Sequence, residues 1–443
     1  MNPELRRNLW LEFSLHRVIA APVFIALIAM LIVASGSKEV LQNITTAAAV
    51  GYVLIVLLWG TRLAGASVIE EARDRTWDAQ RMSSITPWRM TWGKLVGAPS
   101  FAWYGGGILI LIFMLIGSQV SLPVMRYAAL MLCGAVMLHA MALNASVLAA
   151  RKGVSRRGAG TVLIVFLAFM WLVPGLHVLD NMDKPVVWWG ASVPQLDFAL
   201  GTAAAFGAWA VLGAYRSMCN ELEIRTTPWA LPAFILFTAI YFAGFPLHGI
   251  HSAGDPNAFF GVMATGVIVA MIFAYSLLFA EKSGATEWQR LRARVQTMQW
   301  QRALQELPLW LVALTMGLMM ALAASITGGG SSKFLHQIGT APIALMLFAV
   351  RDAAIFQFFT LARQPRRVEA ATLFYLMLLY GLLPGLLAAA GAETFAQLIL
   401  PPLSKNPAFT TIVMAAQATI AIALAWWRWR TIHAPDTDAA RRG

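Results

Sequence analysis

Residues 18–35 read VIAAPVFIALIAMLIVAS, a stretch without a single charged side chain. A helix needs about 20 mostly apolar residues to cross the hydrocarbon core of a bilayer, so this stretch predicts a membrane span. Similar apolar stretches recur to the end of the chain. The predicted spans lie near residues 18–35, 44–61, 95–117, 127–150, 159–176, 196–215, 228–247, 258–280, 307–326, 338–361, 370–390 and 407–427. The sequence therefore predicts an all-α, polytopic helical membrane protein with about twelve transmembrane helices.

The composition excludes an ordinary soluble protein. The chain has 443 residues, of which 59% are hydrophobic and only 12% charged, whereas soluble domains carry about 25% charged residues. The net charge of +12 has a simple source in the Lys and Arg of cytoplasmic loops, so we expect no nucleic-acid partner. Cys133 and Cys219 provide neither a disulfide framework nor a metal cluster. We expect no metal and no cofactor.

The distribution of basic residues predicts the orientation. If the N-terminus lies inside, all but five of the 33 Lys and Arg residues fall in or beside segments on the inner side. The five on the outer side are Lys38, Arg126, Lys184, Lys333 and Lys405. Because cytoplasmic loops are enriched in Lys and Arg, this split predicts a multi-pass protein with both termini in the cytoplasm.

Two segments before predicted spans have the pattern of amphipathic interfacial elbow helices. Residues 3–17 place Leu5, Leu9 and Phe13 one turn apart, and residues 286–305 repeat the pattern. Solvated connectors are the alternative. Because a similar order of spans follows each elbow, a weak repeat of residues 1–120 in residues 284–395 is a further hypothesis. We predict two six-span units, 1–215 and 216–443, the first with a charged segment at 66–94.

The longest charged stretch, residues 70–94, reads EEARDRTWDAQRMSSITPWRMTWGK and holds three of the 17 tryptophans. Thr86 has the side chain of a helix N-cap, and Pro87 suits the first helical position. The pattern thus predicts a helix leaving the membrane, a break, and a short amphipathic helix along the cytoplasmic face. The spacing predicts that four residues lie on or near one helical face, namely Trp77, Arg81, Ser84 and Trp88.

This stretch is open to two interpretations from composition alone. Trp, Arg and Met fringed with charge are typical of a protein–protein hot spot. Alternatively, the tryptophans only anchor a loop at the depth of the lipid headgroups.

The order of residues in this stretch resembles the second cytoplasmic region of ABC exporter permeases of the type-two family. An acidic pair, a Thr, a Thr-Pro and a Gly-Lys-Leu-x-Gly carry the resemblance. These residues are Glu70, Glu71, Thr76, Thr86, Pro87, Gly93, Lys94, Leu95 and Gly97. Arg75 stands where the family usually has Gly, and the family unit commonly has six spans.

The resemblance implies a transport subunit without catalytic residues. In that family the region forms a coupling helix that docks on a separate ATP-binding cassette ATPase, and the permease moves its substrate by alternating access. It also implies a bacterial-type plasma (inner) membrane. We predict that the docking and force-transmitting residues are Glu70, Glu71, Trp77, Arg81, Thr86, Pro87, Trp88 and Lys94. Whether the path needs a homodimer or a partner permease stays open. The sparse charge in the spans favours an amphipathic cargo.

No G-x-x-x-x-G-K-[ST] motif occurs in the chain, so we expect ATP to be hydrolysed by another subunit. A membrane-embedded enzyme acting on lipids or lipid-linked sugars is the alternative. It would need carboxylates or histidines clustered at one membrane face, and the sequence offers only dispersed candidates. These are Asp197, His177, His248 and Asp255, with His251 near the last two. A scaffold that binds an ATPase without transport is a third hypothesis.

Arg351 and Asp352 interrupt the tenth predicted span. A charge at the centre of a span costs about 3 kcal/mol or more, and such residues usually face the bundle interior. Neighbouring helix positions point about 100° apart, which predicts that the two side chains do not simply pair. Either each has a partner elsewhere in the bundle, or both extend to the inner interface; we favour the second. His139 and Asn144 predict interhelical hydrogen bonds.

Overall fold

The computed structural model describes residues 2–151, 184–245, 257–281, 284–326, 342–361, 368–400 and 407–433. These residues form helices joined by short turns, apart from a two-stranded hairpin of β1 (Val186–Trp188) and β2 (Ala191–Val193). The predicted all-α fold class is confirmed.

The chain divides into two compact units. The first contains Met1–Val186 and Ser192–Thr226, and the second contains Val187–Ala191 and Thr227–Gly443. The sequence predicts a boundary after residue 215, within the last helix of the first unit.

A single long helix is the main feature of the first unit. It consists of α3, a π-helical stretch at Val53–Gly60, and α4, and it runs without interruption over 34 residues. At 1.5 Å per residue it is about 50 Å long, which exceeds the roughly 30 Å hydrocarbon core. The helix is thus longer than one span requires, which agrees with the prediction that its charged end leaves the membrane. The helices are α1 (Pro3–Glu12), α2 (Leu15–Ala34), α3 (Val40–Tyr52), α4 (Thr61–Arg73), α5 (Trp77–Arg81), α6 (Pro87–Gly97), α7 (Ser100–Gly117), α8 (Val124–Arg151) and α9 (Gln195–Glu221).

The second unit is also built from helices. A π-helical stretch at Leu378–Leu382 joins α16 to α17. The helices are α10 (Ala230–Ala243), α11 (Ala258–Ala280), α12 (Ala285–Gln296), α13 (Trp300–Glu306), α14 (Leu309–Ile326), α15 (Pro342–Thr360), α16 (Val368–Met377), α17 (Leu383–Ala389), α18 (Glu393–Ile399) and α19 (Pro407–His433).

Ten helices in the described ranges are long and apolar enough to cross a membrane, and the chain is a multi-pass membrane protein. They are α2, α3–α4, α7, α8, α9, α11, α14, α15, α16–α17 and α19. The seventh predicted span corresponds to α10, which is apolar but has only 14 residues. The fifth predicted span, 159–176, lies outside the described residues.

Apolar packing around α4 positions the charged stretch in the first unit. Val68 of α4 and Met90 of α6 are buried together with Leu143 of α8 and Met218 of α9. Small residues allow close approach elsewhere in this unit, where a Cβ atom at Gly106 would lie only 2.2 Å from Val56 Cγ2. The charged segment after the long helix therefore packs against the spans α8 and α9.

Both predicted elbow helices are shorter than the sequence indicates. Helix α1 ends at Glu12, and the Ser14 hydroxyl then accepts a hydrogen bond from the Arg17 amide at the start of α2. The second elbow is divided between α12 and α13, with Met298 between them at φ 55°. Both breaks depend on caps and turns that the apolar pattern does not reveal.

Candidate docking surface and buried charge clusters

The start of α6 matches its prediction. The Thr86 side chain caps the helix by accepting a hydrogen bond from the Arg89 amide at 3.4 Å, and Pro87 occupies the first helical position. The first N–H groups of a helix have no partner inside it. A threonine at the N-cap accepts a hydrogen bond from one of them, and a proline at the first position has no N–H to satisfy. The break and the short second helix are thus confirmed.

The predicted common face of Trp77 and Trp88 is wrong. Helix α5 has only five residues and ends at Arg81, so residues 82–86 separate it from α6, which carries Trp88. Trp77 is 4% exposed and lies in the packed core with Val68 and Met90, whereas Trp88 is 50% exposed. Equal spacing in sequence cannot place residues on one face when the helix between them is interrupted.

Four charged side chains form a cluster between α1, α4 and α6, which we call the buried cluster because Lys94 and Glu4 are buried, although the Arg7 side chain is 40% exposed. Lys94 Nζ lies 3.2 Å from Glu4 Oε1 and also donates to Glu71, although Lys94 is only 1% exposed. Arg7 completes the cluster by donating to both Glu4, at 2.9 Å, and Glu71. Lys94 Nζ also lies 5.1 Å from the ring centre of Trp77. The cluster balances two cations against two carboxylates, as buried charges require.

Two glycines let α1 approach α6 closely enough to form this cluster. A Cβ atom at Gly93 would lie 2.5 Å from Cβ and Cγ of Glu4, and one at Gly97 would lie 3.0 Å from Asn8. This contact explains the Gly-Lys-Leu-x-Gly motif. Its glycines allow α1 to pack closely against α6, and its lysine forms an ion pair with α1. Sequence reasoning missed Glu4 and Arg7, since no local pattern ties them to a segment some 90 residues away.

The exposed part of the charged stretch is centred on Trp88. Its ring packs edge-on against Trp92 at 5.6 Å and against Tyr215 of α9 at 5.5 Å, which fixes its position while half of it stays exposed. Met82 is exposed in the loop before α6. Glu70 and Thr86 are exposed, and Pro87 is half-buried. We call Trp88, Met82 and Thr86 the Trp88 surface.

Arg81 attaches α5 to the end of α9. Its Nε donates to the Glu221 backbone carbonyl at 3.0 Å, and its guanidinium lies within 4.0 Å of Asp78, Glu221 and Glu223. A cavity of about 500 Å³ lies beside this contact, lined in part by Trp77 and Arg81. Of the predicted site residues, Glu71, Trp77, Arg81 and Lys94 thus make internal contacts, and Glu70, Thr86 and Trp88 are exposed.

The intramembrane charges Arg351 and Asp352 pair with each other, which the sequence analysis predicts they do not. Arg351 Nε and Nη2 both lie 3.0 Å from Asp352 Oδ1, and the two residues are 2% and 1% exposed. A long arginine side chain can bend around the helix to its neighbour, so the angle between adjacent Cβ directions does not prevent pairing. The favoured hypothesis, that both extend to the interface, is also wrong, because both are buried.

Further partners surround this pair, as the other hypothesis requires. Tyr275 of α11 donates to Asp352 Oδ2 at 2.5 Å, and Gln417 of α19 accepts from Arg351 Nη1 at 2.5 Å. The Tyr380 hydroxyl accepts from Arg351 Nη2 at 2.6 Å and donates to Asp352. Tyr380 belongs to the π-helical stretch Leu378–Leu382. The pair therefore joins three neighbouring helical segments to α15.

The remaining polar candidates of the first unit have structural partners. His139 Nε2 lies 2.9 Å from the Val56 carbonyl oxygen, and Ser217 donates to Asn144 at 2.5 Å, which confirms the predicted interhelical hydrogen bonds. Asp197 pairs with Arg126 at 3.2 Å. Among the described residues no group of three or more His, Cys, Asp or Glu could hold a metal ion. His177, His248, His251 and Asp255 lie outside the described residues.

No protein-family model matches the chain, and no curated protein or solved structure matches it.

Proposed function

We propose that this chain is the transmembrane permease subunit of an ATP-driven exporter and that the Trp88 surface docks on a separate ATP-binding cassette ATPase. The observation that supports it most directly is the arrangement around α6. An exposed tryptophan lies at one end of this short helix, and Lys94 near the other end lies in a charge cluster shared with a membrane span. The resemblance of residues 70–97 to exporter coupling regions agrees with this arrangement.

The Trp88 surface has the features of a binding hot spot. Hot spots favour tryptophan and are well packed before the partner arrives. Trp88 meets both conditions, because Trp92 and Tyr215 fix its ring while half of its surface stays exposed. Met82 adds an adaptable apolar side chain that is 83% exposed.

The buried cluster suits the transmission of force. A push on α6 reaches Lys94, and through Glu71 it reaches α4, which continues directly into the span formed with α3. Glu4 passes the same displacement to α1. In this proposal Glu71, Trp77, Arg81 and Lys94 transmit motion, and Trp88 with its exposed neighbours contacts the ATPase. The cargo is amphipathic and moves by alternating access.

The test is recovery of the ATPase with the full-length permease. Truncation of a central anchor costs about 2–4 kcal/mol, which is roughly a thirty- to thousandfold loss of affinity. Trp88→Ala, with or without Met82→Ala, should therefore reduce the ATPase recovered per permease molecule in the detergent extract, while permease yield stays unchanged.

Trp229→Ala is a matched control, because Trp229 has a similar exposure of 55% and lies in the second unit. It should leave recovery of the ATPase unchanged. An unchanged recovery for Trp88→Ala with Met82→Ala would contradict docking. A lower permease yield with unchanged recovery per molecule would instead support the headgroup-anchor interpretation. Partner binding without cargo transport by the wild type would indicate a scaffold.

A further inference from the structure

The second unit collects exposed basic side chains at one membrane face. The span α11 ends and the span α14 begins at this face, so α12 and α13, which connect them, lie on the same side of the membrane. The Trp288 indole of α12 donates to Gln357 near the end of α15 at 3.1 Å. Arg428 near the end of α19 lies 5.1 Å from the ring centre of Phe358. The ends of α15 and α19 therefore lie at the same face as α12.

Four arginines mark this face, and we call them the basic belt. Arg290 and Arg292 of α12 and Arg430 of α19 are exposed, and Arg428 is half-buried. Arg430 lies 5.2 Å from the ring centre of Trp426, and Arg428 packs on Phe358. Stacking on an aromatic ring orients a guanidinium and leaves its edge donors available, and these donors match the oxygens of a phosphate.

Most carboxylates at the same face interact with groups outside the basic belt. Glu281 accepts a hydrogen bond from the Leu309 amide at 2.8 Å, and Glu306 lies 3.5 Å from Arg294. Glu287 is exposed on α12. In the part of this face that the structure describes, the belt therefore carries a clear excess of positive charge.

Large apolar side chains flank the belt and are exposed. Met298 is 69% exposed, and Trp300 and Trp426 are each 54% exposed. These residues lie between or at the ends of membrane spans, and tryptophan is enriched there at the boundary between headgroups and hydrocarbon. Tryptophan with arginine at this depth is typical of an interfacial anchor.

We propose that the basic belt binds the anionic headgroups of phospholipids in the adjoining leaflet. The arginines supply charge and bidentate donors, and Trp300 and Trp426 hold the neighbouring acyl region. Attraction to an anionic leaflet is worth about 1 kcal/mol for each basic residue near the surface. Neutralising one belt arginine therefore lowers the relative affinity for an anionic lipid by about fivefold. This inference is independent of any ATPase.

The experiment uses the full-length chain reconstituted in phosphatidylcholine vesicles, with tryptophan fluorescence quenched by brominated lipid. Brominated phosphatidylglycerol is compared with brominated phosphatidylcholine for the wild type, for Arg292→Gln with Arg430→Gln, and for Arg292→Lys with Arg430→Lys. The wild type should bind phosphatidylglycerol preferentially, and the Gln variant should lose about fivefold of that preference per arginine. The Lys variant keeps the charge but not the bidentate donors, so its preference should lie between those of the wild type and the Gln variant.

Equal quenching of the wild type by the two lipids would overturn the proposal. A Gln variant that keeps the wild-type preference, or a Lys variant whose preference falls as low as that of the Gln variant, would overturn it as well. If the Gln variant does not incorporate into vesicles, the wild type is measured across a salt series. Screening must then reduce the preference, and a preference independent of salt would contradict binding by the belt.

Discussion

The environment of Lys94 could not be predicted from the residues near it in the sequence. The sequence places it at the re-entry to the membrane and suggests a surface role by resemblance, yet it is 1% exposed between Glu4 and Glu71. Its partner Glu4 lies 90 residues away, and nothing near either residue predicts the contact. The N-cap of α6 is predicted correctly, because capping by Thr86 depends only on the next few residues.

The buried cluster gives a prediction about stability at this scale. Lys94→Met leaves Glu4 and Glu71 with only Arg7 as a cation, and removing one partner of a buried ion pair typically costs about 3–5 kcal/mol. We expect a marked fall in the apparent melting temperature of the full chain in detergent.

The matched variant is Lys94→Met with Glu71→Gln, which removes one charge of each sign and leaves Glu4 with Arg7. It should melt above the single variant. A double variant that melts at or below Lys94→Met would show that the cluster does not behave as a balanced set of charges.

Element boundaries depend on both local and distant causes. The sequence predicts the break before α6, but it extends the preceding helix through residues where the chain turns. Arg75, just past the end of α4, has φ 57°, the left-handed conformation that glycine adopts at lowest cost. The exporter family usually has glycine there, so the turn is compatible with the resemblance although the residue differs. The contact of α1 with α6 has no sequence signal except the two glycines that permit it.

The close contact of α1 with α6 can be tested through Gly93. Gly93→Ala would place a methyl group 2.5 Å from Glu4 Cβ, and the forced separation of the helices should cost about 1–3 kcal/mol. Gly107→Ala in α7 is the control, because no atom lies within 4 Å of its added Cβ atom. There alanine should be neutral or stabilising, since it favours a helix by up to about 1 kcal/mol over glycine.

The apparent melting temperatures of the two variants measure this difference. Gly93→Ala should also weaken attachment of α1, observed as faster proteolysis within residues 1–17 in the detergent-solubilised chain. Equal behaviour of the two alanine variants would argue against a tight α1–α6 contact.

At the scale of the molecule, the apolar pattern predicts the class of fold well, because each span sums a strong signal over about 20 residues. It does not predict the pairing of Arg351 with Asp352, because that pairing depends on side-chain reach, which hydropathy does not measure. The number of spans and the orientation stay predictions, since the fifth predicted span lies outside the described residues.

Accessibility of engineered cysteines tests that topology. In a chain whose Cys133 and Cys219 are replaced, Lys184→Cys should react with a membrane-impermeant thiol reagent from outside, because the Lys and Arg split places residue 184 on the outer side. Ser155→Cys should react only after the membrane is opened. Labelling of both positions from the same side would show that residues 159–176 do not cross.

The pairing of Arg351 with its immediate neighbour bears on how α15 enters the bilayer during synthesis. Insertion scales assign about 2.5–3.5 kcal/mol to an arginine or an aspartate at the centre of an isolated helix. Here the counter-ion is the next residue, so the two charges can neutralise each other while the nascent segment is still leaving the translocon. Tyr275 is already in the chain at that stage, whereas Tyr380 and Gln417 are made later. The helix thus carries its own charge compensation before its last partners are made.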